Sequence, residues 1–524
     1  MKSNCFIVRL IVAALLSLTV AACGGADKEL SIVPADVSCA VKIDIHQLWQ
    51  KGELDNMNNL AFVKLLRQEI DDDNPQLGKL INGLLNDPSS SGIDTHRPVV
   101  AYTIAAQQQV SDDTYLVIGA LLKSEKDFES FLAELARRAE LSVTASQYKK
   151  FCLATFDEEY VVAWNKHKAL FVKPLGNQGL KELNIFAGGQ MTMDKATSMA
   201  ANADFGEFWK SNADIAVWTP SATLSSLAND TYAWLKPSAH DSTYVSFGLR
   251  FDEGAIVIDA KCYGKNATQR SYLQSTTFNS KLLNFIPDKA YGVTSAVVDW
   301  DDLLNDCNMA HDTSNTMNRK IGDGDATVGE LAKSLGNSVV VGFHGVRTGI
   351  GGTVPLLTLA IDITDNSSLQ NVLSATATDH GNGHFSIDNI VKMPLYMVIL
   401  DSVLVVSTDP ALATASSTTP HNALMEFSDS ISAHSAYCFI DLCVDHYPTA
   451  MTSAIPVMVQ NLLRSFSTAL EAVGNSDGSG SVRILMTNKS ENSLLAILHL
   501  LDDNLMRVDD IIASFLTPLD DEEF

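Results

Sequence analysis

The chain has 524 residues, with 37 Lys and Arg against 62 Asp and Glu, a formal charge of −25, 46% hydrophobic and 19% charged residues. This is a globular composition that excludes a disordered or collagen-like chain, and its acidity excludes a long basic nucleic-acid footprint. Single cores stop growing near about 250–300 residues, so two or more domains are expected.

At the N-terminus, Lys2 and Arg9 form a short positive region around an apolar run at 10–22. A spanning helix needs about 20 apolar residues, so 1–22 reads as a secretory signal rather than an anchor. It ends Val20-Ala21-Ala22-Cys23-Gly24-Gly25, small residues directly before a cysteine, similar to a bacterial lipobox. Cys23 is therefore the expected lipidation site, because two or more acyl chains give stable membrane anchoring. Residues 23–30, with Asp27 and Glu29, read as a solvated tether. The anionic body is repelled by anionic headgroups, so lipid is expected to hold it at the membrane. Gly24 does not favour retention at an inner membrane, which makes the outer membrane of the cell envelope the expected location.

The body follows in chain order. Residues 37–45 carry a strand pattern ending at Asp44, followed by a short helix with Leu48 and Trp49 on its apolar side. A long helical region at 54–85 breaks near 71–75. Strands follow at 99–105 and 115–121, then an amphipathic helix at 125–135. A hairpin at 160–174 and a strand at 213–218 come next. Paired-strand patterns recur at 243–260, 338–363 and 481–501, and helical segments follow at 268–273, 368–373 and 505–516. Asp127, Thr268 and Ser368 stand at helix starts, where a side-chain oxygen can cap orphan N–H groups. Further strands are expected at 293–298, ending at Asp299, and at 437–440, ending at Asp441. The stretch Tyr160–Pro174 parallels Tyr396–Pro410 in length and pattern. The expected architecture is α+β: two tandem related halves, 31–280 and 284–524 with a short acidic tail. Each has mixed, mostly antiparallel sheets with helices packed on one face.

The entry Ile32-Val33-Pro34-Ala35-Asp36, the strand end Ile43-Asp44-Ile45 and Ser91-Gly92-Ile93-Asp94 with Pro98, together with Cys23, resemble a family of Bacteroidota envelope lipoproteins. That family is catalogued as domain of unknown function 4836. The resemblance implies location and architecture. It carries over no active site.

Other motifs read as structure. Six cysteines remain beyond Cys5 and Cys23, none in a Cys-x-x-Cys spacing, and most are expected to be buried free thiols. Gly349–Gly352 and Asn475–Gly480 fit turns, and Gly322–Asp325 lacks the closing glutamate of a calcium loop. His380 and His384 flank a glycine-rich turn. Trp164 and Trp218 lie at strand spacing and read as core rather than a carbohydrate platform. Asp44, Asp299 and Asp441 read as caps at strand-to-helix junctions. Asp401-Ser402-Val403 and Asp429-Ser430-Ile431 match a short glycosylation pattern that is frequent by chance. An apolar helix is expected over 455–473. No catalytic residue, metal site or cofactor is expected. The functional expectation is a lipid-anchored, non-catalytic binding or scaffold component with membrane and envelope-protein partners and no nucleic acid. The alternative is a glycan or peptide hydrolase with an unrecognised carboxylate site.

Overall fold

The computed structural model describes residues 29–503, apart from 62, 65–66, 69–70, 72–73, 106–113, 177, 222–243, 265–272, 276, 288–289, 305–315, 322–325, 350–351, 391–392, 401, 410, 412–426 and 454. The chain divides into two compact units. One comprises Met1–Pro220, Ser246–Gly254 and Ser490–Phe524, the other Ser221–Val245 and Ala255–Lys489.

In the first unit, β1 (Cys39–Ile43) leads into α1 (Ile45–Lys51) and α2 (Pro75–Asn86), then β2 (Val99–Ala105), β3 (Thr114–Leu121) and α3 (Glu125–Arg138). Four short strands follow: β4 (Val143–Gln147), β5 (Cys152–Phe156), β6 (Tyr160–Trp164) and β7 (Lys168–Pro174). The unit continues through α4 (Leu180–Thr192), α5 (Ala203–Trp209), β8 (Ile215–Pro220) and most of β9 (Tyr244–Asp252). The strands pair in the order β8-β1-β2-β3-β7-β6-β5-β4, antiparallel throughout. The break expected near 71–75 falls at Asn74, whose side chain accepts from Gln76 N and Leu77 N ahead of Pro75.

The second unit contains β10 (Ala255–Tyr263), β11 (Gly292–Val297), α6 (Val328–Ser334), β12 (Leu335–Gly349), β13 (Gly352–Ile363) and α7 (Asn366–Thr376). It continues with β14 (Thr378–Gly381), β15 (His384–Ile390), β16 (Met393–Leu400) and β17 (Val403–Ser407). The remaining elements are α8 (Ser428–Ala433), β18 (Ala436–Asp441), α9 (Thr449–Thr452), α10 (Val457–Phe466), β19 (Ser467–Gly474) and β20 (Ser479–Met486). The pairing order is β10-β20-β19-β18-β11-β12-β13-β17-β16-β15-β14, again antiparallel. β10 belongs here because it pairs with β20 along its length. For that reason the compact units do not follow a simple division between 280 and 284.

The helices are not confined to one face of either sheet. In the first unit every residue of β6 is buried. Tyr160, Val162 and Trp164 share a cluster with Phe128 and Phe131 of α3. On the opposite side, Thr155 Oγ1 meets Asn184 Oδ1 of α4, and Phe186 of α4 stacks on Tyr115 at 4.0 Å. In the second unit, Val403 and Val405 of β17 enter a cluster with Leu282 and Tyr437, whereas Leu404 joins Leu369 and Leu373 of α7 on the other face. An apolar run without alternation requires cover on both faces, because successive side chains point to opposite sides.

Several boundaries differ from the sequence reading. Residues 29–30 are not tether: Glu29 and Leu30 are buried in the first unit. α3 is capped by Ser124, which accepts from Asp127 N, and α7 by Asp365, which accepts from Ser368 N. Both caps lie three residues before Asp127 and Ser368. The expected helix over 455–473 ends at Phe466. Leu470 and Val473 lie in β19, where pairing on both sides overrides their helical spacing. The hairpin expected at 481–501 is instead formed by β19 and β20, and Ser493–Asp503 is a helix. The turn between β19 and β20 holds Asp477, whose carboxylate accepts from Ser479 N, and Gly478 at φ 77°.

Candidate functional site

Cys23 and the signal segment lie outside the described residues, as do Gly322–Asp325, Cys307, Asp401 and the acidic tail. The described motifs are structural. Asp44 accepts from Gln47 N and Asp299 from Asp301 N and Asp302 N, each about 1 kcal/mol of capping. Asp441 is not the expected cap: it accepts from Cys443 N and meets His446 Nδ1 at 2.6 Å, while the helical turn that follows starts at Cys443 without a side-chain cap. His380 and His384 flank the β14–β15 turn, where Gly381, Asn382 and Gly383 all have positive φ. His380 Nε2 lies 2.8 Å from Ser386 Oγ. Trp164 and Trp218 are buried. Cys39, Cys152, Cys262, Cys438 and Cys443 are free and half-buried rather than fully buried. Among the described residues, no three His, Cys, Asp or Glu side chains converge on a metal-binding position.

One charged cluster escaped the sequence reading. Glu29 is 3% exposed, accepts from Trp209 Nε1 at 2.7 Å, and faces Arg97 Nη1 at 3.0 Å. Burial pushes the Glu29 carboxyl up, against the pull of Trp209 and Arg97. Lys42 donates to the carbonyls of Trp209 and Ser211, and burial lowers its pKa. Fully buried Asp214 receives Lys51 Nζ at 2.7 Å and Phe251 N at 2.6 Å. Glu29 Oε1 is met only by the ion contact to Arg97, and the other charges are hydrogen-bonded, so the cluster stitches the unit together.

A concave surface lies elsewhere in this unit. β4 and β5 are joined through Lys149-Lys150, with Tyr148 N donating to Phe151 O at 2.8 Å. β6 and β7 are joined through Lys166-His167, held by Asn165 Oδ1, which accepts from His167 N and Lys168 N. Antiparallel order places these two hairpin tips at the same end of the sheet. Tyr148 and Phe151 stack at 4.8 Å and form one wall of a groove of about 660 Å³. Leu180, Lys181, Ile185 and Gly188 of α4 form the other. Gly188 permits this approach, since a Cβ there would lie 3.3 Å from Phe151 Cζ. Ile185 is 66% exposed and Tyr148, even with Phe151 stacked on it, 51%, which leaves large apolar surface open at the groove.

A second depression of about 580 Å³ shares Tyr148 and Phe151 and adds the cations Lys149, Lys150 and Lys166, with His167 beside them, against one acid, Glu125. Cys152 also lines it, but burial and the nearby Glu129 and Glu125 push its thiol up, away from the reactive thiolate. Below lies Lys168, which donates to Gln190 O at 3.2 Å and is pushed down to about 8 by burial. The pair of recesses suits an anionic ligand with an apolar part. Sequence reading passed over it because Lys149-Lys150 and Lys166-His167 are far apart in the chain. Each alone looks like a solvated turn. A dense lysine grouping within an acidic chain was the available signal.

The fold is thus α+β, two units of antiparallel sheet with packed helices, and the first carries a basic, aromatic recess. The chain belongs to the family described as domain of unknown function (DUF4836), whose model matches residues 30–388. No curated protein and no solved structure matches the chain.

Proposed function

We propose that this protein is a lipid-anchored, non-catalytic binding component of the cell envelope, held at the outer membrane through Cys23, with the groove of its first unit as the binding surface. The observation that carries the binding role is the grouping of Lys149, Lys150, Lys166 and His167 beside the exposed Tyr148–Phe151 wall, on a chain whose formal charge is −25. Electrostatic complementarity of this kind speeds encounter and selects a partner by charge. The lipobox-like run ending at Cys23 supports the anchoring.

The reading includes an internal duplication. The order β8-β1-β2-β3-β7-β6-β5-β4 matches β18-β11-β12-β13-β17-β16-β15-β14 strand for strand, which supports two related halves. On that correspondence, Lys149-Lys150 stands where the second half has Gly381-Asn382-Gly383, and Lys166-His167 where it has Asp401-Ser402. The framework is shared and the basic tips are particular to the first half. Binding is therefore assigned to the first half.

The test is co-purification from gently solubilised envelopes, comparing the native chain with Lys149→Glu/Lys150→Glu and with Cys23→Ala. A stoichiometric component retained by the native chain and lost with the charge reversal supports the reading. Retention by the reversed variant removes the groove as the binding surface. Fatty-acid label persisting on Cys23→Ala removes the anchor assignment.

A further inference from the structure

We infer that β4 is an open pairing edge that takes up an extended acidic peptide, whose carboxylates meet the lysines at the adjoining hairpin tips. This rests on the groove being a binding surface and names its occupant. Among the described residues β4 pairs with β5 alone. All five of its residues are exposed.

The direction of its backbone groups follows from two hydrogen bonds. Tyr148 N donates to Phe151 O, and Asp157 N donates to Ser142 O. Antiparallel ladders alternate, so residues 142, 144, 146 and 148 point their N–H and C=O groups at β5. Val143, Ala145 and Gln147 point theirs away from it. That leaves three donors and three acceptors repeating every second residue, about 7 Å apart. A peptide backbone matches this repeat, and an oligosaccharide has no equivalent one.

Natural sheets protect such edges with lysine, proline, a bulge or extreme shortness. Val-Thr-Ala-Ser-Gln carries no lysine or proline, and its register with β5 is unbroken. The terminal strand of the second unit differs: β14 has four residues and a register irregularity between Asp379 and Gly381. In the first unit, Lys149 and Lys150 sit just past the end of β4, with Lys166 on the neighbouring tip and Lys181 on α4. A strand added to β4 would run toward these cations and toward the exposed Tyr148 and Ile185. An acidic residue at that end of the added strand, with an apolar residue beside it, satisfies both, whereas a basic residue there is repelled; the opposite end of β4 adjoins the Asp157 carboxylate.

The experiment is equilibrium binding to the purified full chain of a capped synthetic peptide of alternating Glu and Val. Its comparators are the same peptide with Lys for Glu, the same peptide N-methylated at alternate residues, and an oligogalacturonate. The acidic peptide is expected to bind, more weakly as salt rises, and to lose at least about tenfold in affinity on alternate N-methylation and on Ala145→Pro. Proline at 145 removes an outward N–H and leaves the bonds to β5 intact. The N-methylated probe gives the same information without altering the protein. Equal binding of the N-methylated peptide, equal binding of the lysine peptide, or no binding of the acidic peptide at about 1 mM overturns the inference. Oligogalacturonate binding that Lys149→Glu/Lys150→Glu abolishes, with no peptide binding, overturns strand pairing while leaving the groove as a binding surface. Self-association of the chain that Ala145→Pro abolishes also overturns it, by making a second copy the occupant.

Discussion

The indole N–H of Trp209 donates to the Glu29 carboxylate at 2.7 Å, joining positions 180 residues apart in the chain. The Trp209 carbonyl in turn accepts from Lys42 Nζ at 2.9 Å. Glu29 is thus fastened beside β1 and α5 by buried charge. Only residues 24–28 separate Cys23 from this fastening. A fully extended chain spans at most about 3.6 Å per residue, so lipidation at Cys23 would keep the first unit close to the bilayer.

Glu29→Ala is expected to destabilise the first unit by about 2–4 kcal/mol, because it strands the buried Trp209 N–H and leaves the half-buried Arg97 without its partner. Glu29→Gln, which keeps an acceptor for Trp209, is expected to cost less. Hydrogen exchange over 203–211 and 95–99 measures the difference. Unchanged protection in Glu29→Ala would show that the body does not depend on this contact.

Gly92→Ala is expected to cost more than about 3 kcal/mol. Gly92 sits at φ 75°, and a Cβ there would lie 2.3 Å from Phe128 N and 2.5 Å from Ser124 O, both backbone atoms of the α3 start. Its carbonyl also accepts from Lys123 N and Ser124 N. Lower expression and a lower midpoint in urea for Gly92→Ala, with little change for Gly83→Ala, is the expected pattern. Gly83 lies on α2 with open space around it.

Lys168 sets a pH dependence. Its folded pKa is about 8 against an ordinary 10.5, because burial disfavours the charge. Below pH 8 the folded unit bears the full cost of that buried cation. Between about pH 8 and 10.5 the folded lysine releases its proton before the unfolded one does, so stability contributed by this group rises, by about 3 kcal/mol at most. Lys168→Met is expected to be the more stable form at pH 7 and to lose its advantage across that window. Urea midpoints of the two proteins at pH 7 and pH 10.5 test the sign. A constant difference between them would exclude a buried charged Lys168.

Much of the framework was legible because its signals are local. Paired strands at 99–121, 160–174 and 338–363 alternate or run apolar in short stretches bounded by turns, and each forms the expected hairpin. Ser91-Gly92-Ile93-Asp94 read as punctuation, and Gly92 proves to be a position that only glycine fits. β4 was not legible: Val-Thr-Ala-Ser-Gln is polar, exposed on every residue, and held by pairing with β5. The Glu29, Lys42 and Asp214 cluster was hidden for another reason. Single charged residues look solvated until their distant partners Trp209, Ser211 and Phe251 are brought alongside. The groove depends in the same way on two hairpin tips meeting one helix.

The most direct test of the binding role is hydrogen exchange of the lipidated protein in native envelope membranes, compared with the same protein purified in detergent. Protection over 143–152, 165–168 and 180–188 that appears in the membranes and is absent from Lys149→Glu/Lys150→Glu is the expected result. Equal exchange of these segments in both preparations, with protection confined to the second unit, would contradict it.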